Sequence, residues 1–318
     1  MLHLFGFHPE KGSGRFRMRH PALYNSVMTG MALPNPASRL LVLFALVASA
    51  GHAQWLNYHE PGVPRTRDGK VNMAAPVPRA PDGKPDLSGV WMHETTSVAE
   101  MKRLYGSTIE DAVKLDVPGM EIGTQHKYFI NILLDFPSSE SLMLPEGVDQ
   151  MRRNQAQNIL NDACTLGFSM GFPLADVLSE PIKIVQAPRH TMILYEAGNF
   201  YRQIHTDGRV LPKEFDLPSF NGYSAGHWEG DTLVVESGGF NNKAWLDAMR
   251  HPRSEALRVM ERYRRRDFGH LDYEIRFEDP KMYTRPFTVR IPHELVPDSD
   301  VFENYCENEK DATHLPKR

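Results

Sequence analysis

Residues 224–237 read SAGHWEGDTLVVES, and the plan of the chain is legible in them. The polar turn Glu229-Gly230-Asp231 separates two runs that alternate or bury apolar side chains, and the second run, residues 232–235, is rich in β-branched residues. Such residues fit a pleated, half-buried surface, so the stretch is expected to be a β-hairpin. The pattern extends on both sides. From residue 181 onward PIKIVQ, TMILYE, FYRQIHT, GYSAGHW, TLVVES, RVMERYRRR, LDYEIRFE, PFTVRIP and VFENYCENE succeed one another, most of them separated by short turns such as Asp207-Gly208-Arg209. Glycine supplies the left-handed backbone that such turns need. With residues 87–93 this predicts about ten strands, an antiparallel up-and-down meander closing into a barrel or a strongly curved sheet. A propeller would require a repeat of roughly 40–50 residues, and no internal repeat is apparent.

Composition narrows the partners. The 318 residues include 36 Lys+Arg against 40 Asp+Glu, a net charge of -4. No global field would draw the chain to nucleic acid or to an anionic membrane surface. Hydrophobic residues make up 41% and charged residues 24%, enough apolar material for a sizeable core.

Residues 38–54, SRLLVLFALVASAGHAQ, place one arginine before a short apolar run and then small residues ending at Ala53. This is the form of a signal peptide; the run is far shorter than the ~18 residues that span a bilayer core. Residues 1–53 are therefore expected to be a signal with an over-extended N-terminus, the natural start lying at Met28 or Met31. The mature chain is expected to be periplasmic or secreted and to contain no integral membrane segment. Residues 54–85, rich in proline, glycine and charge, read as an extended arm, and residues 86–318 as a single barrel-like domain.

A helical insertion interrupts the strands over about 95–180. SVAEMKRLY after Thr96 has a capping residue and helical spacing, and so does GVDQMRRNQAQNILNDAC. KYFINILLDF, residues 127–136, fits a strand or a buried helix equally. Two connections, residues 206–222 and 238–257, are long, the second with a short helix expected over 243–249. Long loops at a barrel mouth commonly hold binding groups.

Alternation assigns faces. In residues 271–278 the set Leu271, Tyr273, Ile275, Phe277 opposes Asp272, Glu274, Arg276, Glu278. In residues 259–266, however, both faces carry charge: Glu261 and Arg265 share a face with Val259 and Tyr263. An inward Glu or Arg suits a barrel enclosing a polar-lined cavity; a strand with one face in water explains the pattern equally well.

Several motifs bear on chemistry. Gly222-Tyr223-Ser224-Ala225-Gly226 matches G-x-S-x-G, with Asp231 and His251 following in triad order, but the nucleophile elbow needs a strand, a sharp turn and a helix, whereas here a β-turn follows. The fourteen histidines include no H-E-x-x-H or H-x-H, and there is no C-x-x-C, so no metal site is expected locally. No phosphate-cradling loop or other cofactor motif is present. His251 lies near Ser254, Glu255, Glu261 and Arg262, and a carboxylate beside an imidazole is the recurring arrangement for general acid/base work. A salt-bridged rim is the plainer alternative. Cys164 and Cys306, the only cysteines, would in an exported chain most economically form one disulfide, closing a long loop with a contribution of roughly 5 kcal/mol. A nucleophilic cysteine is the other possibility, although the carboxylate of Glu307 beside Cys306 tends to raise a thiol pKa.

Two resemblances add to this. Gly89-Val90-Trp91 resembles the start of lipocalin-like barrels, in which the indole plugs the closed end. The segments KYFINIL, GYSAGHWEGDTLVVES, WLDAMRHPRSEALRV, ERYRRRDFGHLDYEI and DPKMYTRP resemble those of a large, uncharacterised family of exported bacterial proteins, from residue 87 to residue 307. Its members commonly have a Cys-Leu-Pro turn where this chain has Cys164-Thr165-Leu166, and a Cys-His-Glu-like ending where it has Cys306-Glu307. The resemblance implies no reaction.

The expectation is a lipocalin-like barrel taking up an apolar or mixed small molecule at its mouth. Arg202, His205, Tyr223, Trp228, Phe240 and Trp245 would bind it. If the protein is an enzyme, its chemistry would be cofactor-independent acid/base catalysis of isomerase, lyase, cyclase or hydrolase type. His251 would transfer the proton, Glu236 or Glu261 would partner it, and Arg262 would stabilise an anion. The rivals are a non-catalytic envelope protein and, third, a serine hydrolase using Ser224.

Overall fold

The computed structural model describes residues 59–106, 125–156 and 171–301, apart from Ser179, Ala197 and Asn199. The expected signal sequence, both cysteines and the strand expected over 301–309 thus lie almost wholly outside the described residues. From residue 60 onward these residues belong to one compact unit.

Ten strands form one sheet: β1 (Gly89–His93), β2 (Ile182–Ala187), β3 (His190–Tyr195), β4 (Phe200–His205), β5 (Tyr223–Glu229), β6 (Thr232–Gly238), β7 (Arg258–Arg265), β8 (His270–Glu278), β9 (Phe287–Arg290) and β10 (His293–Leu295). They are hydrogen-bonded in the order β10-β1-β2-β3-β4-β5-β6-β7-β8-β9, and β10 also pairs with β8. β1 to β8 and β10 therefore close a nine-stranded barrel, with β9 beside β10 on the edge of β8. β10 is too short, and too near Pro292 and Pro297, to show alternation in the sequence.

The opening hairpin forms as read. Glu229 faces Thr232 across Gly230-Asp231, and Gly230 takes φ 60°, the left-handed region that glycine enters without steric penalty. One pairing departs from the meander. β4 and β5 run parallel and meet only at Ile204–Ser224 and His205–Ala225, because the 206–222 connection returns the chain to the end from which β4 started.

Three helices are described: α1 (Val98–Tyr105), α2 (Pro145–Ala156) and α3 (Leu174–Val177), with a 3₁₀ turn at Ser139–Ser141. The Ser97 side chain caps α1 by accepting from the Glu100 amide at 3.3 Å. Residues 127–136 form neither the strand nor the helix expected, but a series of turns that bury Ile132 and Leu133. Residues 243–249 are not a helix either: Trp245 and Pro252 form an isolated bridge, and the chain between them turns back sharply.

The first described stretch holds a repeat hidden by its proline content. VPRTRDGKVN (63–72) and VPRAPDGKPD (77–86) build the same turn twice. Thr66 N–H bonds Lys70 O and Asn72 N–H bonds Pro64 O; fourteen positions on, Ala80 N–H bonds Lys84 O and Asp86 N–H bonds Pro78 O. Each arginine reaches back to its glycine carbonyl at 3.3 Å. Met73 O and Ala75 O accept from Gly269 and Phe268, so this stretch is laced to the β7–β8 turn.

That end of the barrel is sealed by Trp91. Its ring is fully buried, its Nε1 donates to Leu87 O at 2.9 Å, and the Arg265 guanidinium lies 4.9 Å from its ring centroid. Arg265 has no carboxylate partner in these bonds; it donates to the carbonyls of Asp86, Ser88, Asp267 and Phe268 and so ties the stretch before β1 to the end of β7. Gly89 precedes the tryptophan for a steric reason. It takes φ 140°, and a Cβ there would lie 2.5 Å from the Leu295 side chain on the neighbouring strand.

Candidate functional site

The inward faces of β4, β5, β6, β7 and β8 meet in a polar network at mid-barrel. Arg202 donates to both oxygens of Glu261, to Ser224 Oγ at 3.0 Å and to Ser237 Oγ at 2.9 Å. The hydroxyls of Tyr263 and Tyr273 donate to Glu261 at 2.6 and 3.0 Å. All six side chains are buried. The charged inward face of β7 is therefore satisfied by an internal ion pair and by carbonyls, and Trp91, Val259, Ile275 and Phe277 pack around it. It does not line an open cavity.

Residues 171–177 lie over this network, at the end of β7 away from Arg265. The Phe172 ring covers the Arg202 guanidinium at 3.5 Å, and the Asp176 carboxyl lies 3.1 and 3.2 Å from the Tyr195 hydroxyl. Burial, and then the Glu261 charge, push the Asp176 carboxyl up to about 8, despite the opposing pull of Arg202 and Tyr195. Burial in this place thus favours the uncharged acid.

The 239–257 loop covers the same end and contains a second buried arrangement. His251 Nδ1 lies 2.5 Å from Asp247 Oδ2, and both side chains are wholly buried. Asp247 also accepts from the His251 amide at 3.2 Å and from the Ile132 amide at 2.9 Å, while Met249 N–H bonds Ile130 O. Because a carboxylate accepts, Nδ1–H donates to it, and Asp247 thereby orients the imidazole and its Nε2. Nε2 is buried and has no hydrogen-bond partner among the described residues.

The side chains singled out in the sequence do not converge. His251 and Trp245 share the 239–257 loop, and the Arg250 guanidinium lies 4.9 Å from the Trp245 ring centroid. Phe240 packs against Phe172 at 5.9 Å. Arg202 and Glu261 partner each other. Glu236 is exposed on the outer face of β6, and Arg262 pairs there with Glu229 at 2.9 Å. Neither can serve His251, because successive strand residues point to opposite faces. His205 stands beside His190 in an open outer cleft of about 420 Å³. Tyr223 is exposed and stacked on Phe215 at 5.6 Å, and Trp228 is partly buried at the core edge. The partner of His251 proved to be Asp247, four residues earlier in DAMRH. The spacing was visible, but with a helix expected there it carried no signal of the tight turn that joins the two.

The serine-hydrolase arrangement is not assembled. Ser224 lies within a strand, its hydroxyl bonded to Ser237 and Arg202, and Asp231 pairs with Arg79 at the surface. No turn into a helix follows Ser224.

A third cluster holds His93, His126 and His293, all buried, with the His93 and His126 rings 4.5 Å apart. His126 bonds Val177 O at 2.8 Å and His293 bonds Ile291 O at 2.6 Å. Among the described residues no three His, Cys, Asp or Glu side chains are placed to hold a metal ion. Burial, and then His93, push His293 down to about 3 and His126 well below its ordinary value. In the unfolded chain these imidazoles protonate near 6.5, so between roughly pH 6.5 and 3 the unfolded state binds more protons and stability falls as pH falls. Urea titrations at pH 7 and pH 5 are expected to show a lower midpoint at pH 5, and His293→Asn is expected to shrink that difference; an unchanged difference would exclude His293 as a source.

No described helix is long and apolar enough to cross a membrane. No family model, curated protein or solved structure matches the chain.

Proposed function

We propose that the protein is an exported barrel that processes a small molecule by cofactor-independent acid/base chemistry, with His251 transferring the proton and Asp247 orienting it. One observation carries this. A buried imidazole is held through Nδ1 by a buried carboxylate while Nε2 has no partner among the described residues, which is the arrangement of a general base in several unrelated catalytic sites. An unsatisfied buried nitrogen is costly, and substrate would supply the missing bond. Access to Nε2 requires movement of the cover above it, to which the 130–132 backbone is anchored by Asp247 and Met249. The signal-like pattern of residues 38–53, one arginine, a short apolar run and small residues, is what supports a periplasmic or secreted location.

The test compares the wild type with His251→Gln and Asp247→Asn against a small-molecule extract, following which masses are consumed. At least 100-fold slower consumption in both variants, with folding intact, is expected from the 10²–10⁴-fold worth of a positioned base. Equal consumption by His251→Gln and wild type would refute the assignment. The rival, a non-catalytic envelope protein, draws support from the filled barrel interior, and predicts no wild-type-dependent consumption at all.

A further inference from the structure

Phe172 and Asp176 reach into the barrel from a segment that takes no part in its sheet. Residues 171–178 make no strand pairing, and their local backbone bonds, such as Leu178 N–H to Leu174 O, stay within the segment. It is held to the barrel by polar side chains, with Asn221 Oδ1 accepting from the Phe172 amide at 2.9 Å, Arg253 donating to Phe172 O at 2.7 Å and His126 at Val177 O, and by burial of Phe172, Ala175 and Val177 in the core. It can withdraw without breaking a strand ladder, and an incoming apolar compound would re-cover the surface that its buried side chains leave. Beside it the barrel wall is thin, since β4 and β5 share only two residue pairs, just beyond Arg202.

The segment also places an unfavourable group in the interior. Asp176 is fully buried, facing Tyr195 of β3, Arg202 of β4, Glu261 and Tyr263 of β7 and Tyr273 of β8. Arg202 is already neutralised by Glu261, so a second anion has no counter-charge here and the carboxyl is forced toward its neutral form. Detached, it would ionise freely in water.

We propose that residues 172–177 act as an internal ligand of the barrel, occupying a site floored by Arg202 that accepts a neutral, flat aromatic compound bearing a hydroxyl or amide group when the segment withdraws. The segment displays the features such a compound would copy. A phenyl ring lies on the guanidinium face, where cation–π attraction favours it, and an uncharged hydrogen-bonding group meets the Tyr195 hydroxyl. Glu261 sets the charge rule: it neutralises Arg202 and repels an anionic head group. The site lies apart from the His251–Asp247 bond and does not depend on His251 being catalytic.

The probes are 2-naphthol, naphthalene and 2-naphthoate, titrated at pH 7 into the full chain and into Phe172→Ala. Removing the ring that competes for Arg202 is expected to tighten 2-naphthol at least 10-fold, with 2-naphthol bound at least 10-fold more tightly than 2-naphthoate and more tightly than naphthalene. The comparison with naphthalene separates this site from a plain apolar cavity, which would prefer the hydrocarbon. In the wild type, saturating 2-naphthol is expected to speed amide hydrogen exchange at residues 175–178. Should Phe172→Ala fail to fold, Phe172→Leu keeps much of the volume without the ring face, and a gain of about 3-fold is expected. No gain in a folded variant, equal binding of 2-naphthoate, a preference for naphthalene, or 2-naphthol binding without faster exchange at 175–178 would each overturn the proposal. None of these readouts requires turnover, so loss of the His251 assignment would leave them standing.

Discussion

Replacing Glu261 by glutamine is expected to lower the unfolding free energy by about 3–5 kcal/mol, the usual cost of removing one partner of a buried ion pair. Glu261 is wholly buried and Arg202 is 2% exposed, so water cannot solvate the guanidinium once its counter-charge is gone. The hydroxyls of Ser224 and Ser237 remain as acceptors, but they bring no charge. Tyr263 and Tyr273 keep an acceptor in the glutamine carbonyl, which isolates the loss of charge from the loss of hydrogen bonds. Urea denaturation measures the effect, as a lower midpoint with an unchanged slope. A change below about 1 kcal/mol would mean that the pair is open to water. Replacing both partners together, Arg202→Met with Glu261→Leu, is expected to recover most of the loss, because apolar side chains of similar volume carry no desolvation cost.

Trp91→Ala is expected to cost about 3–5 kcal/mol, the range for deleting a large aromatic side chain from a packed core. The indole is wholly buried against the core, and its loss uncovers one face of the Arg265 guanidinium. Burial already lowers the pKa of Arg265 to about 10, and the carbonyls that hold it supply no counter-charge. A cavity beside a buried cation would admit water, and the turn-bearing stretch before β1 would loosen with it. Hydrogen exchange at the Phe268 and Gly269 amides, which bond Ala75 O and Met73 O, is expected to rise more than exchange in β6. Uniform acceleration across the sheet would instead show that Trp91 stabilises the barrel only globally.

Local signals recovered most of the strands. Alternation placed Leu271, Tyr273, Ile275 and Phe277 on one face, and all four are buried, because a strand reverses its side chains at every residue whatever surrounds it. Gly230 marked its turn for an equally local reason. Where the period was broken by proline, as at β10, or where turns follow one another, as over 127–136, the sequence carried no such signature. The repeated turn at 63–72 and 77–86 has no periodic signature either, because its hydrogen bonds are set by turns within a proline-rich composition that also fits irregular chain.

The candidate site was legible in residue types and not in partners. His251 could be singled out beforehand, and Glu261 stood out as a charge on an apolar face. Pairing Glu261 with Arg202 across 59 positions, and Asp176 with Tyr195 across 19, needed the sheet to close.

From its sequence by itself this protein is determined to be a β-rich chain whose strands, hairpin turns and inward faces follow from backbone period and from glycine's access to left-handed conformations. Tertiary structure alone decided that Arg202 and Glu261 neutralise one another, that β4 and β5 meet in parallel along a short seam, and that Asp247 serves His251. The reason is physical: periodicity is a property of neighbouring residues, whereas a buried charge is tolerated only beside a partner that the closed barrel brings to it.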